Sequence, residues 1–264
     1  MRCMKRIGAV VVALAFAARL QAGITYRFES VSEGTKTQTF SGVAKIEGGQ
    51  SRVDINRSDE KFFPSGAAIL SSNTSSVLTV LNPAKKTYYE LDFEHLGETA
   101  AETQKELSKF MSVGEPKVDV KKEGPGGLME GYPTQRYRSN ASIEIRINTP
   151  GSHMVNRIEM TSEVWTTEKI PADAGKQLQM PFHSGIEGID KLMSATHSRI
   201  SGFPLKEVTT TRMTLNGTTT TSTRRSSVTN IRRATLGATE FAVPAGFTKV
   251  DSPIDEMLKK AGMR

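Results

Sequence analysis

Apolar and polar residues alternate with a period of two through most of this chain, the pattern of strands with one buried face. Ile24, Tyr26 and Phe28 alternate within Gly23–Ser32, and Val53 and Ile55 share a face within Ser51–Asn56. The longest run is Gln135–Ile147. There Tyr137, Ala141, Ile143, Ile145 and Ile147 oppose Arg136, Arg138, Asn140, Glu144 and Arg146. Met154–Thr167 repeats the pattern with Ile158, Met160 and Val164, and leaves Trp165 on the other face. Further strands are expected at Thr37–Glu47, Ala67–Ser71, Lys117–Lys121, Leu205–Leu215 and Thr218–Leu236. Turns fall at Gly48-Gly49, Asn82-Pro83 and Asn216-Gly217, the last being the strongest short hairpin signal.

Val77–Asp92 breaks the alternation. Leu78 and Val80 point one way, and Val77, Thr79 and Leu81 the other, so the first strand of this hairpin is apolar on both sides. Such a strand needs cover on both faces. A helix is predicted next, because Phe93, Leu96, Ala100, Thr103, Leu107 and Phe110 recur at helical spacing up to Met111. A second helix begins after Ser184, with Ile186, Ile189, Leu192, Met193, Thr196 and Ile200 as its apolar stripe and Gly202 and Pro204 beyond it. Ser252 and Pro253 open a terminal helix.

The expected fold is mainly β (α+β): a strongly curved antiparallel sheet or half-barrel of roughly ten strands, with helices covering its concave face. Strands on both sides of the Pro- and Gly-rich stretch Val113–Gly131 look alike, so one domain over 23–264 is expected rather than two. Gly124-Pro125-Gly126-Gly127 reads as a turn, since Pro125 and the lack of a following lysine rule out a phosphate loop.

Residues 1–22 read as an export signal. Arg2, Lys5 and Arg6 precede the apolar run Gly8–Ala18, which is too short to span a bilayer. This changes the reading of charge. The formal +7 falls to +3 once the four basic residues of that leader, Arg2, Lys5, Arg6 and Arg19, are set aside. Such a balance gives no warrant for nucleic-acid binding. The single cysteine, Cys3, lies in the leader, so the exported chain folds without a disulfide or thiolate chemistry. No later segment is apolar enough for a transmembrane helix, and a periplasmic or secreted location is expected.

Catalytic and metal patterns do not emerge. His95, His153, His183 and His197 lack metal-ligand spacing, and no nucleophile elbow or dinucleotide fingerprint occurs. No cofactor and no metal are expected. An enzyme would need a polar cleft in which His183 or His197 faces a carboxylate.

Five segments carry a family resemblance: Leu81-Asn-Pro-Ala-Lys-Lys-Thr-Tyr-Tyr89, Gly131-Tyr132 with Tyr137, Glu163-Val-Trp165, Gly202-Phe-Pro-Leu205 and Phe241-Ala-Val-Pro-Ala-Gly-Phe247. In this order they resemble an uncharacterised family of secreted bacterial proteins, a domain of unknown function of the DUF4412 type. That family in turn resembles the LolA and LolB lipoprotein-carrier half-barrels. The resemblance implies a curved antiparallel sheet, a helical lid and an apolar concave cavity, and carries over no site residue.

The function expected is non-enzymatic binding of an apolar ligand, an acyl chain, lipid or lipoprotein, between sheet and helices. The expected lining is Leu78, Val80, Leu96, Leu107, Phe110, Ile189, Leu192 and Met193. The alternative is a cell-envelope structural protein with a protein partner and a self-filled core.

Overall fold

The computed structural model describes residues 23–60, 62–93, 95, 108, 110–149, 152–171, 174 and 187–260. The expected export signal lies outside them. So does most of the helix expected from Phe93, including Leu96 and Leu107. Phe93 and His95 are helical.

Strands form where the period-two pattern runs. They are β1 (Gly23–Glu33), β2 (Gln38–Glu47), β3 (Gln50–Ser58), β4 (Ala68–Ser72), β5 (Val77–Asn82), β6 (Thr87–Asp92) and β7 (Met111–Val113). They continue as β8 (Lys117–Met129), β9 (Tyr132–Thr149), β10 (Ser152–Thr167), β11 (Phe203–Leu215), β12 (Thr218–Ala234) and β13 (Thr248–Lys249). Helix α1 spans Glu187–His197 and α2 spans Pro253–Lys260. The thirteen strands among the described residues form one curved, open sheet.

Its topology is two meanders zipped together. β1 to β6 step outward to one edge, and β9 to β12 step back from the other. They meet where β1 pairs antiparallel with β12, placing Phe28 opposite Val228. β7 and β8 lie end to end along the free edge of β9.

Four details differ from the sequence expectation. The strand count is higher because Met111–Val113, where the expected helix ends at Met111, pairs with Ile145–Ile147 of β9, and because Thr248–Lys249 adds β13. β8 runs well past Lys121, and its glycines make bulges in the strand. Register shifts fall at Lys122/Gly124 and Pro125/Gly127, with Gly124 at φ +104 and Gly127 at φ +83. Pro125 is tolerated because β8 pairs on one side only. The turn comes at Glu130-Gly131, both at positive φ, as at Asn216-Gly217. Finally, the sheet is not wholly antiparallel: β13 runs parallel to β6, tied by Thr248 N–H to the Lys86 carbonyl (3.0 Å) and Val250 N–H to that of Tyr88 (2.8 Å).

The double-sided hairpin strand β5 is covered on both faces. Leu78 and Val80 join the main core with Ile24, Tyr26, Val53, Ile55, Ile69, Leu91 and Phe203, against which Phe93 and Ile254 pack. Tyr26 and Phe203 meet edge to face at 5.3 Å. On the other face, Leu81 packs with Ala68 and Leu70 under Tyr88 and Phe247. That face is therefore closed by the C-terminal segment, not by a helix. A second core, Ala141, Ile143 and Leu192, joins α1 to β9. Close packing there requires glycine at Gly188, since a Cβ would sit 2.4 Å from Val113. Helix α2 is held at its start by a reciprocal cap: Asp255 N–H donates to Ser252 Oγ (3.1 Å) and Ser252 N–H to Asp255 Oδ2 (3.1 Å).

The arginine-rich face of β9 is neutralised by neighbours. Arg136 pairs with Glu123 at 2.7 Å and Arg138 with Glu163 at 2.9 Å. Glu144 is bonded by Arg157 and Arg146, and the hydrogen bond from Arg157 is the main reason its carboxyl titrates below the usual range. These pairs are exposed and contribute little stability. Trp165 covers the sheet here: Lys206 Nζ sits 4.8 Å above its ring, and Gly126 leaves it space, since a Cβ there would lie 2.6 Å away.

Candidate ligand-binding site

The inner face of the sheet is not continuously apolar. Antiparallel pairing sets Ser139 of β9 opposite Ser162 of β10, Ser162 opposite Thr209 of β11, and Thr209 opposite Arg224 of β12. Residues directly opposite one another share a face. One polar row therefore crosses four strands. The next row places Glu207 opposite Ser226, and Ser226 opposite Ser30 of β1. This band lies between the core that contains Phe203 and the one that contains Leu192.

Hydrogen bonding along the band has a definite direction. Thr209 Oγ1 donates to Glu207 Oε1 at 2.7 Å, so its oxygen accepts from Ser162 Oγ at 2.8 Å. Arg224 Nη2 donates to the same Glu207 oxygen at 3.2 Å. Charge is thus balanced locally. Ser30 and Ser226 hydroxyls join at 2.9 Å, and those of Tyr137 and Ser201 at 2.8 Å.

Over this band lies a cavity of about 340 Å³. Its floor is Ser139, Met160, Ser162, Val164 and Thr166 from β9 and β10. Met193, Thr196 and His197 from α1, then Ile200, Ser201 and Gly202, form the opposite wall, and Glu207 and Arg224 complete it. Gly202, at φ +92, brings the chain so close to β10 that a Cβ would lie 3.1 Å from Thr166 Oγ1. Thr166 is 1% exposed, and its hydroxyl has no hydrogen-bond partner among the described residues.

The residues expected to line a ligand site are dispersed. Met193 lines the cavity. Leu192 points into the second core and Ile189 is half-buried on α1. Leu78 and Val80 belong to the main core. Phe110 is half exposed, in the turn before β7. Leu96, Leu107 and His183 lie outside the described residues. Ser139, Ser162, Thr166, Glu207 and Arg224 were not anticipated. For three of them the signal was a polar residue on an apolar phase: Ser139 interrupts the Tyr137–Ile147 face, Ser162 interrupts the Ile158–Val164 face and Thr166 follows it.

His197 shares the cavity with Glu207, but that carboxylate is bonded by Thr209 and Arg224. Among the described residues, no cluster of three or more His, Cys, Asp or Glu side chains is arranged to hold a metal ion, and no helix is long and apolar enough to cross a membrane.

No curated protein matches the chain. Among solved structures, it is similar to an uncharacterised conserved protein from Thermus thermophilus, at 10% identity and TM-score 0.35, covering 86% of this chain and 90% of that one. It is similar to PNGF-II at 12% identity and TM-score 0.35, covering 89% of this chain but 32% of that one. It is also similar to the LolA superfamily protein NE2245 from Nitrosomonas europaea, at 10% identity and TM-score 0.30, covering 84% of this chain and 90% of that one. A family model described as a domain of unknown function, DUF4412, matches residues 30–247, and the chain belongs to that family.

Proposed function

We propose that this is an exported, non-enzymatic binding protein that takes an apolar or amphiphilic ligand between the sheet and α1. The observation that carries this reading is the cavity of about 340 Å³ bounded by β9, β10 and α1. That volume is at the lower end of the range for small-molecule sites, which favours one short chain over a lipid with several. Met160, Val164, Met193, Ile200 and Pro204 offer the apolar part of the lining. The self-filled envelope protein is the weaker alternative, because the space between helix and sheet is open. A periplasmic or secreted location rests on the leader over 1–22, and a single domain over 23–264 is supported by the one sheet that the described strands share. The binding partner is a lipid or the acyl chain of a lipoprotein, and an envelope protein would be its donor or acceptor.

An enzymatic reading is favoured by the presence of His197 in the cavity and opposed by the hydrogen bonding of Glu207, which occupies the carboxylate with Thr209 and Arg224. The test is native mass spectrometry and lipid extraction on protein purified from the periplasm. A co-purifying single-chain species is expected. Protein that is always empty, and that takes up no added acyl compound, overturns the proposal.

A further inference from the structure

The cavity is unlike a plain acyl pocket, and its polar groups define what else the ligand must carry. Six of the fifteen lining residues bear hydroxyls: Ser139, Ser162, Thr166, Thr196, Ser198 and Ser201. Ser162 and Thr196 are already committed through their protons, the first to Thr209 and the second to the Leu192 carbonyl at 2.8 Å. Their lone pairs still accept. Thr166 has both functions unused among the described residues, although it is almost wholly buried. A buried hydroxyl without a partner costs stability, and a hydrogen bond from a bound ligand would offset that cost.

The carboxylate and the guanidinium in the cavity balance each other. Glu207 and Arg224 are paired at 3.2 Å, with Thr209 as the third member. A carboxylate or phosphate head would have to compete with Glu207 for Arg224, while a cationic head would have to compete with Arg224 for Glu207. An uncharged hydroxyl head has no such conflict, since hydroxyls both donate to and accept from hydroxyls. Along β10 the floor alternates Met160, Ser162, Val164, Thr166, a run of about 20 Å at the rise of a strand. The Met160 end adjoins the core containing Leu192, and the Thr166 end adjoins Gly202.

We propose that the cavity takes a single-chain amphiphile with an uncharged, hydroxyl-bearing head, the chain lying towards Met160 and Met193 and the head hydrogen-bonded by Thr166 and Ser139. This rests on the ligand-binding reading above and names the class of ligand. It also predicts discrimination against the free acid of the same chain length.

The test is isothermal titration calorimetry on the purified full chain with glycerol monodecanoate, decanoate and decyl phosphate, each below its micelle concentration. The neutral ester is expected to bind roughly tenfold tighter than either anion. Thr166→Val should weaken the ester by roughly fivefold, one hydrogen bond, and leave decanoate unchanged. Ser139→Ala reads out the same head contact from the neighbouring strand and should do likewise. Decanoate bound as tightly as the ester, or an ester preference untouched by both variants, overturns the head-group assignment alone. Failure of all three compounds to bind overturns the ligand-binding reading with it.

Discussion

Ser162 and Thr209 face each other across β10 and β11 with their hydroxyl oxygens 2.8 Å apart, both buried in the inner face of the sheet. They are not equivalent. Thr209 gives its proton to Glu207, so Ser162 must be the donor between the two. Ser162→Ala therefore removes one bond and leaves Thr209 with its acceptor, at a cost of about 0.5–1.5 kcal/mol. Thr209→Val leaves a buried serine hydroxyl and deprives Glu207 of a donor, at a cost of about 1–3 kcal/mol. Urea unfolding of the two variants checks the order. Equal costs, or a more harmful serine variant, would mean the proton runs the other way.

Thr166 yields the opposite sign. Its hydroxyl is buried and unpartnered among the described residues, and valine has the same shape without the polar atom. Thr166→Val should raise the stability of the ligand-free protein by about 1 kcal/mol, the desolvation cost being removed. The same substitution weakens the ester in the binding test. A variant more stable and less able to bind is the signature of a site residue. If denaturant midpoints show a loss of stability instead, the hydroxyl has a partner in solution and the assignment fails.

The two cores should behave as separate units. Leu91 is 4% exposed in the main cluster and Leu192 is 2% exposed in the cluster under α1. Each truncation to Ala should cost about 2–5 kcal/mol. They share no cluster, so the double variant should cost the sum to within about 0.5 kcal/mol. A coupling energy well above that would mean the polar band transmits strain from one core to the other.

How far the sequence revealed this arrangement follows from which forces act locally. Strand positions were legible because a residue's face is fixed by period two: Tyr137, Ala141 and Ile143 are buried where alternation puts them. Asn216-Gly217 turned as its dipeptide demands, both residues at positive φ. Gly124–Gly127 misled because the same glycines that permit a turn also permit bulges, and only the pairing with β9 decides between them. The segment over Leu81 was unreadable for a different reason. Phe247 reaches it through β13, a contact between distant parts of the chain that no local pattern encodes. The cavity was hidden in the same way. Ser139, Ser162 and Thr209 are scattered in sequence and become one row only when the register of β9, β10 and β11 is fixed.

Alkaline pH should unfold the main core through its tyrosines. Burial pushes the Tyr89 phenol up to about 12 and raises that of Tyr26 as well. Tyr89 donates to the Phe62 carbonyl and Tyr26 to that of Ala174 at 3.4 Å, bonds that only the protonated forms make. A phenol in the unfolded chain ionises at about 10, below the folded value. The folded state therefore holds its protons longer, and the unfolded state gains charge first. This contribution to stability is complete below about pH 10 and is lost as pH rises from there through about 12. Tyr89→Phe loses the Phe62 bond at every pH, so it should be less stable at neutrality. It should also fall less steeply above about pH 10, since one ionisation has been removed. Denaturant midpoints measured at several pH values from neutrality through that window decide the matter. An alkaline slope as steep in Tyr89→Phe as in the parent would assign the titration to other groups.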